Sequence, residues 1–86
     1  MKLWATLHND KRITASCRAE SSEQNTADAI AECLGAVCRE FDISEPVLLK
    51  KHARELVAYR RTRFFPDDFI DPVSFSKMEI EYSLDD

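Results

Sequence analysis

Lys2–Ala19, KLWATLHNDKRITASCRA, holds two short runs in which apolar and polar side chains alternate. In the first, Leu3, Ala5 and Leu7 stand against Lys2, Trp4, Thr6 and His8. In the second, Ile13, Ala15, Cys17 and Ala19 stand against Arg12, Thr14, Ser16 and Arg18. A period of two marks strands with one buried face. Asn9, Asp10 and Lys11 between the runs suit a tight turn. Cross-strand partners share a face, so this pattern predicts Leu7 opposite Ile13, Ala5 opposite Ala15 and Leu3 opposite Cys17, across a three-residue loop. The same register puts Trp4 opposite Ser16 on the polar face, an unusual place for an indole.

Outward from the hairpin, the polar stretch Glu20–Asn25 leads into a helix. Asn25 suits its N-cap, and Asp28 favours the positive end of the helix dipole. Ile30, Leu34, Val37 and Phe41 recur at helical spacing, flanked by Cys33 and Cys38, and form one apolar stripe. Asp42, Ser44 and Pro46 end it, because proline cannot continue a helix. A second helical pattern runs from Pro46 or Leu49 to Tyr59, with Leu49, Ala53 and Leu56 on one side. Phe64–Pro72 reads as a turn or a single helical turn framed by two prolines. Met78, Ile80, Tyr82 and Leu84 then alternate with Lys77, Glu79, Glu81 and Ser83 as a closing strand, and Asp85 and Asp86 end the chain.

The order strand, strand, helix, helix, strand predicts an α+β fold over residues 1–86 as a single domain. The expected architecture is a small antiparallel three-stranded sheet: a β-hairpin, two helices packed on one face, and a closing strand beside the first strand. Hydrophobic residues make up 44% of the chain, enough to build a core without a metal or disulfide framework. Gly35 is the only glycine, which argues against a glycine-rich phosphate loop. Cys17, Cys33 and Cys38 are odd in number and lack a C-x-x-C spacing, as expected in a reducing cytoplasm. The N-terminal residues lack a signal-peptide core, and no apolar run approaches the ~20 residues of a membrane span, so a cytoplasmic protein without membrane contact is expected.

Charge is the most distinctive feature. Lys50–Arg63 carries six of the twelve basic residues and, of the sixteen acids, only Glu55, within a chain of net charge −4. On a continuous helical wheel Lys50, Arg54 and Arg61 fall in one sector with Lys51 beside it, opposite Leu49 and Leu56. Arg60 falls towards the apolar side, which requires either that the helix has ended or that Arg60 is paired. One reading makes this basic helix face, with Arg63, an anion-binding surface for phosphates or for an acidic partner. The plainer reading is a solvated helix face neutralised by flanking acids. Trp4 carries a similar pair of readings. An exposed indole is an anchor for another protein, whereas a segment after Phe64 folded over the outer face would bury the ring.

Site chemistry is weaker. Asp67, Asp68 and Asp71 read as helix-start acids rather than cation ligands, because the glycine of a calcium loop is missing. His8, His52 and the three cysteines show no recognised metal-ligand spacing, and thiols beside apolar stripes are usually inert. No catalytic residue, metal or cofactor is therefore expected. The sequence predicts a small non-catalytic interaction protein, an adaptor, regulator or inhibitor. Trp4, Lys50, Lys51, Arg54, Arg61 and Arg63 would bind another protein or a second copy of this chain as a homodimer. The alternative is a nucleic-acid or phosphate-binding module using the same cations, with Tyr59 or Phe64 to stack. A third, weaker reading is an oligomeric enzyme with His52 or Asp67 in a pocket between subunits.

Overall fold

The computed structural model describes residues 1–84, so the terminal acids Asp85 and Asp86 lie outside the described residues. The hairpin forms from β1 (Lys2–Asn9) and β2 (Arg12–Glu20), but its loop is two residues long. Asp10 adopts φ 60, the left-handed conformation that a two-residue hairpin turn demands and that aspartate tolerates. The shorter loop shifts the register, pairing Leu7 with Ala15, Ala5 with Cys17 and Leu3 with Ala19. A bulge between Leu7 and His8 reconciles the two, and it places Ile13 opposite His8, where it is 59% exposed instead of in the core. Trp4 consequently faces Arg18, not Ser16.

Helix α1 spans Thr26–Phe41. Asn25 Oδ1 accepts the Asp28 N–H at 3.0 Å. Asp42 closes the other end at φ 57, with its own N–H on Arg39 O and the Ile43 N–H on Cys38 O. Such a pair satisfies two carbonyls that the last turn would leave without partners. Ile30, Cys33, Leu34, Val37 and Cys38 are buried against β1 and β2, as the stripe predicts.

The sheet has four strands, not three. Helix α2 (Lys50–Tyr59) is followed by β3 (Arg61–Phe64) and, after a single 3-10 turn at Pro66–Asp68, by β4 (Lys77–Ser83). All pairings are antiparallel, in the order β2-β1-β4-β3, so the closing strand does lie beside the first. Arg60 makes the extra strand by ending the helix. At φ 59 its N–H still reaches Leu56 O at 2.9 Å, while its carbonyl accepts the Tyr82 N–H at 2.9 Å and starts the ladder to β4. Four residues are too few for a period of two to declare itself, and a wheel drawn through Arg61 absorbs them into the helix.

Both helices pack on one face of the sheet. Leu3, Phe64, Met78 and Ile80 are fully buried there, each worth about 1.5–3 kcal/mol by removal from water. Phe69 and Phe75 join the same core edge-on, with ring centroids 6.4 Å from Phe64 to Phe69 and 5.4 Å from Phe69 to Phe75. The segment after Phe64 therefore packs on the helix side and leaves the outer face open. Across that face Arg18, Trp4, Glu81 and Arg61 form one row, and Ser16, Thr6, Glu79 and Arg63 the next. Among the described residues no helix is long and apolar enough to cross a membrane.

Candidate functional site

The second helix sits lightly on the sheet. Of its ten residues only His52 and Leu56 are buried, one turn apart, whereas Leu49 and Ala53, expected on the same apolar side, are exposed. His52 has no exposed surface and anchors the first turn. Its Nδ1 accepts the Leu49 N–H at 2.9 Å, which puts the ring proton on Nε2. That nitrogen lies 3.4 Å from Asp68 Oδ2 without making a hydrogen bond, while the same oxygen accepts the Phe65 N–H at 2.9 Å. The Phe64 ring lies 4.5 Å from the imidazole. His52 and Asp68 thus tie α2 to the turn after β3. With every ring atom enclosed, His52 is out of reach of a solute.

Between α2 and β3 lies a groove of about 330 Å³, lined by Lys51, Glu55 and Tyr59 from the helix and Arg61, Thr62, Arg63 and Phe65 from the strand. The spacing explains the helix side, since Lys51, Glu55 and Tyr59 succeed one another at four-residue intervals along one flank. Alternation explains the strand side. Thr62 and Phe64 turn inward, and Arg61 and Arg63 turn out. Glu55 is the one acid in the lining, and its Oε1 accepts the Thr62 hydroxyl at 2.5 Å. This bond holds the carboxylate against the strand.

Each residue singled out from the sequence can now be placed. Lys50 and Arg54 form the solvent-facing crest of α2, and Lys51 turns into the groove. Arg61 leaves the helical sector for the edge strand, joined in the groove by Arg63. One of these five cations is matched within the chain, because Arg63 Nε donates to Glu79 Oε2 at 3.0 Å. Lys50, Lys51, Arg54 and Arg61 make no ion pair among the described residues, although Glu81 stands opposite Arg61 in the ladder. Trp4 is 41% exposed on the open face. Phe64, proposed above for stacking, is in the core, and Phe65, 45% exposed, takes its place at the groove.

Sequence reasoning passed over the apolar flank of α2. Leu48, Leu49 and Val57 are all exposed, Val57 by 83%. The signal was present in the order of the chain, because Leu49, Ala53 and Val57 recur at four-residue spacing beside Lys50 and Arg54. The cysteines stand elsewhere. Burial, then Glu45, pushes the Cys38 thiol up to about 11, and burial, then Glu32, raises Cys33. Half-buried Cys17 is raised by burial and then by Glu40. All three thiols are thereby held in the protonated, poorly nucleophilic form. No family model, curated protein or solved structure matches the chain, and its functional reading rests on the geometry of the α2–β3 face.

Proposed function

We propose that this chain is a small non-catalytic interaction protein that binds an acidic segment of a partner protein on its α2–β3 face. The observation that carries the reading is the groove itself: three cations and two exposed aromatic rings around a single acid already engaged by Thr62. The exposed rings of Tyr59 and Phe65 in its lining supply contact area of the kind that protein interfaces bury. Trp4 shares the outer face with Arg61, separated by Glu81 alone, roughly 10 Å away at the usual strand spacing. A partner lying over Arg61 and Arg63 would reach the indole, and Trp and Arg are the residue types that most often anchor interfaces.

A nucleic-acid reading draws on Tyr59 and Phe65, which flank the cations where bases could stack. The net charge of −4 weighs against it, because dedicated nucleic-acid binders carry a basic domain. Fluorescence anisotropy with a labelled glutamate-rich peptide and a labelled single-stranded oligonucleotide separates the two. The expected result is peptide binding that weakens with salt and drops at least tenfold in Lys51→Glu/Arg61→Glu. Tighter binding of the oligonucleotide, with a steep salt dependence, would favour the nucleic-acid reading. Failure of both probes at low salt would remove the basis for either.

A further inference from the structure

The groove runs along an open sheet edge, and the direction of its backbone groups can be worked out. The Tyr82 N–H bonds to Arg60 O, so the Arg60 carbonyl faces β4 while its N–H stays on Leu56 O. Peptide groups alternate sides along a strand. The N–H and C=O of Thr62 therefore also face β4, and those of Arg61 and Arg63 point away from it, into the groove. β3 is the last strand of the sheet, and no strand among the described residues pairs with its outer side. The next outward donor, the Phe65 N–H, is taken by Asp68 Oδ2 at 2.9 Å. Two donors and two acceptors, from Arg61 and Arg63, remain on this edge. An unpaired edge flanked by side-chain pockets is the usual setting for strand addition.

We infer that the partner segment docks as a fifth strand, antiparallel to β3, with an acid-apolar-acid core opposite Arg63, Thr62 and Arg61. This inference rests on the reading of the α2–β3 face given above and specifies its mode. Antiparallel pairing lets the residues opposite Arg61 and Arg63 each exchange two hydrogen bonds with the edge. Their side chains would lie on the outer face beside the two guanidiniums. The residue between them, opposite Thr62, would point to the helix side, towards Tyr59 and Lys51. The same chemistry already occupies the opposite edge of β3. Glu81, Ile80 and Glu79 of β4 face Arg61, Thr62 and Arg63, and Glu79 makes its ion pair with Arg63 at 3.0 Å. A guanidinium has five N–H donors in a planar fork, so Arg63 retains donors for a second carboxylate. A second copy of β3 is disfavoured here, because self-pairing about Thr62 would set Arg61 against Arg63.

The test uses a short fluorescein-labelled peptide with a Glu-Ile-Glu core and its singly N-methylated forms, measured by anisotropy against the full chain. N-methylation at either glutamate removes an N–H that would donate to Arg61 or Arg63 and should weaken binding roughly tenfold, about one net hydrogen bond. Methylation at the isoleucine, whose N–H points away from β3, should be tolerated. On the protein side, Arg63→Pro deletes one outward N–H and spares the ladder to β4, so it should bind more weakly than Arg63→Ala. Circular dichroism on both variants confirms that each is folded. Equal tolerance of methylation at all three positions, with binding still sensitive to Lys51→Glu/Arg61→Glu, would overturn strand addition and leave the docking face standing. No binding of any peptide at low salt would overturn both.

Discussion

Helices α1 and α2 are both amphipathic, yet they are used in opposite ways. Seven of the sixteen residues of α1 are buried, against two of the ten in α2. Their ends differ as well. α1 has a side-chain N-cap from Asn25, an acid in its first turn and Arg39 in its last, all favourable to the helix dipole. α2 lacks a capping side chain at Leu49, has no acid in its first turn, and begins with Lys50 and Lys51 at the positive end of the dipole. Each such lysine costs about 0.3–1 kcal/mol. Local rules broken without a gain in packing are characteristic of functional surfaces. The first helix is committed to the core, and the second keeps eight of its ten residues outside it.

The contrast is broken most readily in α1. Leu34→Ala should destabilise the fold by about 2–5 kcal/mol, the range for a buried leucine whose cavity does not collapse, as read by urea denaturation. Should it cost less than Val57→Ala in α2, the assignment of roles would be reversed. Next in size is an alkaline effect centred on Cys38. Its folded thiol titrates at about 11, above an ordinary value near 9, so the folded state resists ionisation. Stability is full below the unfolded pKa and falls as pH rises from about 9 to 11, by roughly 3 kcal/mol in all. Denaturation midpoints across that window should fall in the parent chain and fall less in Cys38→Ala.

His52 sharpens the comparison, because it is the polar anchor of the less buried helix. Replacing it with alanine leaves the Leu49 N–H without its acceptor, at a cost of about 1–3 kcal/mol. Amide exchange should then rise at Leu49–Ala53 before it rises anywhere in α1. Uniform loosening of both helices would contradict the separation. The smallest expected effect on stability is that of Val57→Ser, within about 0.5 kcal/mol of the parent chain because the side chain is already in water. It should also leave capture of the acidic peptide unchanged, because Val57 lies on the flank of α2 away from the groove.

Much of this architecture is legible in the residues, and the failures share a physical cause. The strands β1, β2 and β4, the Asn25 cap and the stripe of α1 are long patterns in which many side chains agree. β3 is short, and a single residue decides its existence. Arg60 takes a left-handed conformation that its identity does not advertise, and once it does, Arg61 moves from a helix to a sheet edge. The hairpin register fails for the same reason, through Asp10 at φ 60 and a bulge that takes Ile13 out of the core. Of the predicted site, the charge cluster is legible because composition alone reveals it. The groove is not, because it needs Lys51 from a helix and Arg61 from a strand to face each other. His52 is hidden more thoroughly, since its partner Asp68 lies sixteen residues away in a turn read simply as acidic.

The most direct test of the α2–β3 face is an NMR titration of the isotope-labelled chain with the Glu-Ile-Glu peptide, following backbone amides. The expected result is a set of shifts at Lys51, Glu55, Tyr59 and Arg61–Phe65, extending to Trp4, with α1 unchanged. Shifts centred on α1 or on the outer edge of β2, or no shifts at low salt, would contradict the division of labour between the two helices.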